Sequence, residues 1–115
     1  MKILVCGSRS WQSSDRVWEV LSTTVPAPTE IISGGARGPD SFADEWAAWK
    51  GISRTVLRPD WQRHGRAAGM RRNEAMLALK PDKVLAFWDG RSRGTKHMIE
   101  ISRQAGVPVE IVVQT

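Results

Sequence analysis

The sequence has no tyrosine, two phenylalanines, two histidines and a single cysteine. One thiol, Cys6, excludes an intrachain disulfide and points to a reducing compartment, so a cytoplasmic location is expected. Neither His64 nor His97 has a second histidine or cysteine at ligand spacing, and no metal is expected. No apolar run approaches about 18 residues, the length of a membrane span, so no membrane partner is expected. The opening MKILVCG lacks the charged flank and long apolar core of a signal peptide. A G-x-S-x-G elbow and a complete P-loop are both missing, and no cofactor is expected. Repeats and low-complexity tracts are absent as well. The 115 residues are read as one domain, 1–115.

Acidic residues are in the minority. Seventeen Lys and Arg against twelve Asp and Glu give a net charge of +5. That favours an anionic partner: a nucleotide, a phosphate or a nucleic acid. Six tryptophans offset the missing tyrosines. Such rings fill a core or stack on a base.

Apolar runs and helical periodicities alternate along the chain. Strands are expected at Ile3–Cys6, Glu30–Ile32, Thr55–Leu57, Val84–Trp88 and Val109–Val113. Between them lie four helical patterns. The first carries Val17, Val20 and Leu21. The second carries Phe42, Ala43, Trp46, Ala47 and Trp49. The third, AAGMRRNEAMLAL, aligns Arg72, Met76 and Leu79, and the fourth aligns Met98, Ile101 and Ala105. Continuous apolar strands joined by helices predict an α/β fold, a Rossmann-like three-layer sandwich. Its five-stranded parallel sheet has the expected order 3-2-1-4-5, with helices on both faces. The polar third strand suits an edge. A loop of about ten residues from Trp61 to the third helix carries Arg58, Arg63, His64 and Arg66 at or near its ends.

Ligands of such sheets bind beyond the carboxyl ends of the strands, where the winding reverses. Three segments there are rich in glycine and arginine. They are GSRSW from Gly7, SGGARGPD from Ser33, and DGRSRGT from Asp89. Glycines let backbone N–H groups approach an anion, and a helix amino end adds favourable partial charge. Phosphate is expected on Gly34, Gly35, Ala36, Arg37 and Gly38, and on Gly94 and Thr95. Pro39 suits the first helical position. Gly7, Ser8, Arg9, Arg37 and Arg72 are expected to approach or donate to the ligand, with Ser33, Asp40, Asn73 and Gly90 beside them. Asp89 is expected to accept from a ribose hydroxyl and Trp88 to seat the base. Trp11 also flanks the crevice and is a candidate stacking surface. The large Trp46 and Trp49 on the second helix make self-association an expectation.

These motifs, with GMRRNEAM, VLAFWDGRSRGTKHMI and GVPVEIV, resemble the YspA cpYpsA-related SLOG family. That resemblance implies a Rossmann-like domain binding nucleotides or NAD-derived nucleotides. The chain is also similar to the related Lonely-Guy phosphoribohydrolases. Arg72 in RNEAM matches their catalytic arginine, and Gly94 and Thr95 match part of their phosphate loop. Their catalytic glutamate falls on Met98, whose thioether cannot assist departure of a base. Asp89 and Glu74 are the remaining candidates for that acid, so hydrolysis of a nucleoside monophosphate is the alternative activity. SGGARGPD is similar to a motif of the DNA-processing protein A family, which implies single-stranded nucleic acid as a second possible partner.

Overall fold

The computed structural model describes residues 1–113. Strand β1 (Lys2–Gly7) forms the centre because four consecutive apolar side chains cannot all face one layer. Ile3 and Val5 pack with one helix layer, Leu4 and Cys6 with the other, and all four are buried. Each aliphatic side chain fully buried in this way contributes about 1.5–3 kcal/mol of transfer free energy. Around β1 run β2 (Glu30–Ser33), β3 (Ser53–Val56), β4 (Lys83–Trp88) and β5 (Val109–Val113). All pairings are parallel and the order is β3-β2-β1-β4-β5, as the alternating pattern predicts. Register places Leu4 against Ile32 on one side and Val84 on the other. The polar β3 lies at an edge, mostly exposed.

Helices α1 (Ser14–Thr23) and α2 (Pro39–Lys50) cover one face through Val17, Leu21, Ala43, Trp46 and Ala47. The other face is covered by α4 (Ala68–Ala78) and α5 (Arg93–Gln104) through Met76, Met98 and Ile99. Each start has a local cause. Ser13 caps α1 by accepting from Arg16 N, Ser92 caps α5, and Pro39 opens α2. Gly51, at φ 72°, ends α2 in the left-handed conformation that glycine adopts without strain. The buried stripe of α5 is Thr95, Met98, Ile99 and Ser102, rotated from the expected Met98, Ile101 and Ala105. Ile101 is only partly buried.

Three expectations change. The segment after Pro59 is not an irregular loop: it forms a one-turn helix, α3 (Trp61–His64), followed by a 3-10 turn at Gly65–Ala67. Asp60 caps α3 by accepting from Arg63 N at 3.1 Å. Trp11 is no stacking platform. It is 2% exposed, meets Phe87 edge-on at 5.5 Å and donates Nε1–H to the Ser13 carbonyl. Trp46, expected with Trp49 to serve self-association, is 2% exposed in the core and donates Nε1–H to Ser22 Oγ; Trp49 alone stays outside, 67% exposed, with its ring 5.4 Å from that of Trp18.

Candidate functional site

The connections of β1 and β4 diverge at their carboxyl ends, and a cleft of about 440 Å³ opens there. That is within the range of small-molecule sites. Gly7 ends β1 where a side chain cannot fit. A Cβ there would lie 2.5 Å from Pro39 Cγ and 2.6 Å from the Phe87 carbonyl. The chain then turns at Ser8–Trp11, closed by Trp11 N–H donating to Ser8 O at 3.0 Å. Ser8 N–H is spent on Phe87 O. The central residues of the turn, Arg9 and Ser10, line the cleft.

After β4, Asp89 binds the two strand-end loops together. Its backbone N–H donates to Ser8 Oγ at 3.0 Å. Its Oδ1 accepts from Arg91 N and Ser92 N at 2.8 Å each, and Oδ2 accepts from Ser10 Oγ at 3.3 Å. The Ser92 and Arg91 amides hold this carboxyl down to about 2. It is therefore ionised at neutral pH, able to accept from hydroxyls and unable to serve as a general acid there. Ser92 rather than Thr95 caps α5, and the two hydroxyls share a hydrogen bond of 3.1 Å. Gly94 leaves open space above the first turn of that helix. Its amino end faces the cleft, with Asp89 on the Ser92 amide and Ser92 Oγ on that of Thr95, which leaves the Arg93 and Gly94 amides for a ligand.

Helix α4 supplies Arg72 and Asn73. Arg72 Nη1 donates to Gly34 O at 2.9 Å and Nε to Asn73 Oδ1 at 3.1 Å. Asn73 Nδ2 donates to Gly94 O at 3.1 Å, which fastens α4 to α5. Burial pulls the Arg72 guanidinium below its ordinary range, opposed by the nearby Asp40.

The segment Ser33–Gly38 departs from its expected role. Asp40 Oδ2 accepts from Gly34 N at 2.9 Å and Ala36 N at 3.3 Å, so the protein's own carboxylate occupies those amides. Ser33 is fully buried and donates its hydroxyl to Asp44. Gly35 and Gly38 have positive φ, and Gly38 passes so close to Ser8 that a Cβ would lie 2.9 Å from its carbonyl. Their glycines are required by backbone shape. Arg37 is exposed. Trp88 is half-buried and donates Nε1–H to Ser92 O, and Gly90 makes the turn after β4.

Of the expected residues, Gly7, Ser8, Arg9, Ala36, Asp40, Arg72, Asn73, Asp89, Gly94 and Thr95 line the cleft together. Ser33, Gly34, Gly35, Arg37, Gly38, Trp88 and Gly90 are not among its lining residues. The cleft also takes in Cys6, Ser10, Trp61, Gly69, Met76 and Ser92, which sequence reasoning left out. For Trp61 a signal existed: Asp60 before a tryptophan is a helix cap, and a helix there turns the ring toward α4. Burial and Asp40 push the Cys6 thiol up, so it stays protonated. Met98 is wholly buried in the core and contributes nothing to the cleft.

Asp40 gives a pH prediction. Burial raises its carboxyl from 3.8 to about 6, against the Ala36 and Gly34 amides and Arg72. Between those values the unfolded chain has lost this proton and the folded chain keeps it. Stability therefore falls as pH rises from 3.8 to about 6, by up to about 3 kcal/mol. Asp44, also raised by burial, slopes the same way. Asp89, being lowered, contributes stability that is lost only as pH falls below 3.8 toward about 2. Asp40→Asn keeps an oxygen for the Gly34 and Ala36 amides and removes most of the upper slope. Urea unfolding at pH 4, 5, 6 and 7 reads this; an unchanged slope in the variant would place the titration elsewhere.

Comparison with known proteins adds independent support. A family model described as YspA, cpYpsA-related SLOG family matches residues 1–64. The chain belongs to this SLOG family. The matched part runs from β1 through α3 and includes Arg9 and Asp40. The chain is also 39% identical over 117 residues to the Gene 61 protein of Mycobacterium phage D29, covering 94% of this chain and 93% of that one. That similarity runs over α4 and α5 as well. The C-terminal domain of the PF1911 hydrogenase from Pyrococcus furiosus has the same fold. The TM-score is 0.56 at 17% identity, over 96% of this chain and 89% of that one. Membership of the SLOG family points to a nucleotide-related ligand. Among the described residues, no helix is long and apolar enough to cross a membrane.

Proposed function

We propose that this SLOG-family chain binds a nucleotide or NAD-derived nucleotide in the cleft between the ends of β1 and β4. One observation carries the reading. Arg9 and Ser10 from the first loop, Arg72 from α4 and the amino end of α5 share a single cleft of about 440 Å³. A phosphate there meets backbone donors, a helix dipole and two guanidinium groups. The anion belongs on the Arg9, Ser10, Arg93 and Gly94 amides, because Asp40 satisfies those of Gly34 and Ala36, Phe87 O that of Ser8, Asp89 that of Ser92 and Ser92 Oγ that of Thr95. Asp89, held ionised, accepts from ribose hydroxyls. A cytoplasmic location and self-association through the exposed Trp49 belong to the same proposal.

Isothermal titration of the folded protein against nucleoside monophosphates, ADP-ribose and cyclic ADP-ribose tests it. Saturable heat from at least one of them is expected. No heat from any, with circular dichroism confirming the fold, contradicts it. Binding confined to long single strands, and collapsing with added salt, would instead favour nucleic acid. Hydrolysis of a monophosphate has weaker support, because the position of the family glutamate is Met98, inside the core.

A further inference from the structure

Beside the cleft, along the seam of α4 and α5, lies a second cavity of about 390 Å³. It shares Trp61, Gly69, Arg72, Asn73 and Gly94 with the first, so the two adjoin across those residues. Trp61 sits at the junction. A Cβ on Gly69 would lie 3.9 Å from its Cη2, so the indole rests over the bare first turn of α4.

The charge is divided unevenly. In the first cleft, Arg9 and Arg72 are set against Asp40 and Asp89. In the second, Arg66, Arg93 and Lys96 are set against Glu100 alone. Lys96 reaches Glu100 only at 3.9 Å, with both side chains more than half exposed, which is a weak commitment. Arg66 and Arg93 form no ion pair among the described residues. His97 adds a directed donor. Arg72 Nε fixes the oxygen of Asn73, so the Asn73 amide nitrogen is what meets His97 Nδ1, at 3.1 Å. Nδ1 then accepts, and the proton sits on Nε2, free to donate. The positive excess of the whole depression therefore lies in the second cavity.

Position around α5 relates the two. Ser92, Gly94 and Thr95 line the first cleft; Arg93, Gly94, Lys96, His97 and Glu100 line the second. Arg93 and Lys96 follow Ser92 and Thr95 by one residue each, about 100° around the helix. Anions on those two faces of α5 are separated, not adjacent.

We infer that the two cavities form one site for a nucleotide carrying two phosphate groups separated by a sugar. One phosphate lies on the first turn of α5. The second lies among Arg66, Arg93, Lys96 and His97, with the nucleoside against Trp61. This rests on the nucleotide reading above. Two sources share the chemistry: a nucleoside 3′,5′-bisphosphate, and the 5′-phosphorylated end of a short oligonucleotide.

The test is titration of the intact chain with four probes. They are the monophosphate that binds best, its 5′-diphosphate, its 3′,5′-bisphosphate and a 5′-phosphorylated dinucleotide. The bisphosphate or the dinucleotide is expected to bind about tenfold tighter than the other two, the size of one charge-assisted contact. Whichever gains more identifies the source. The double variant Arg66→Gln, Lys96→Gln is expected to lose that gain and keep the affinity for monophosphate. Arg66→Gln alone serves if the double variant does not fold. Equal affinity for the 5′-diphosphate, the bisphosphate and the dinucleotide, or a gain that survives the substitutions, overturns the inference. Failure of every nucleotide, ADP-ribose and cyclic ADP-ribose included, to bind overturns the nucleotide reading itself, so the two failures are distinguishable.

Discussion

Arg72→Ala is expected to weaken nucleotide binding by about 100-fold, the scale of removing one partner from a desolvated charge pair. The reason lies in what the guanidinium touches. It bonds Gly34 O and Asn73 Oδ1, and it is a cation acting on Asp40. Its loss removes charge opposite the ligand phosphate and leaves two acceptors without their donor. Asp40 then rises further above about 6, since Arg72 is one of the groups holding it down. Arg72→Lys keeps the charge but cannot span both acceptors with a planar fork, so an intermediate affinity is expected. Isothermal titration reads all three proteins. Wild-type affinity in Arg72→Ala would remove Arg72 from the site.

Trp11→Ala is expected to destabilise the fold by about 3–5 kcal/mol, the usual cost of emptying a large aromatic site. Its ring lies between the Ser8–Trp11 turn and Phe87, and its indole N–H is satisfied by Ser13 O. Trp11→Phe preserves the edge-on contact and loses the hydrogen bond, for about 1–2 kcal/mol. The Phe variant should also keep its nucleotide affinity, because the ring is turned away from the cleft. Urea unfolding checks the first two figures. A loss of affinity in Trp11→Phe without a loss of stability would restore the ring to the ligand.

The strand order was legible because it follows from burial alone. Apolar runs at Ile3–Cys6 and Val84–Trp88 require two covered faces, and the polar Ser53–Val56 can live only at an edge. The position of the cleft was legible for the same reason, since topology fixes where the winding reverses. What a given polar group bonds to was less legible. SGGARGPD reads as a phosphate loop because glycines and a helix start occur together there. The sequence does not reveal that Asp40, the second residue of α2, folds back onto Gly34 N and Ala36 N. That is a three-dimensional fact about one side chain. Trp11 was ambiguous for a related reason: a tryptophan just after a strand can point inward or outward, and only its packing on Phe87 decides. Trp61 was hidden by a segment too short to show periodicity, although its Asp60 cap was visible.

Backbone amide chemical shifts during a nucleotide titration test most directly where the anion sits. Shifts are expected at Arg9, Ser10, Arg93 and Gly94, with Gly34 and Ala36 nearly unmoved because Asp40 holds them. Large shifts at Gly34 and Ala36, with none along the first turn of α5, would contradict that placement.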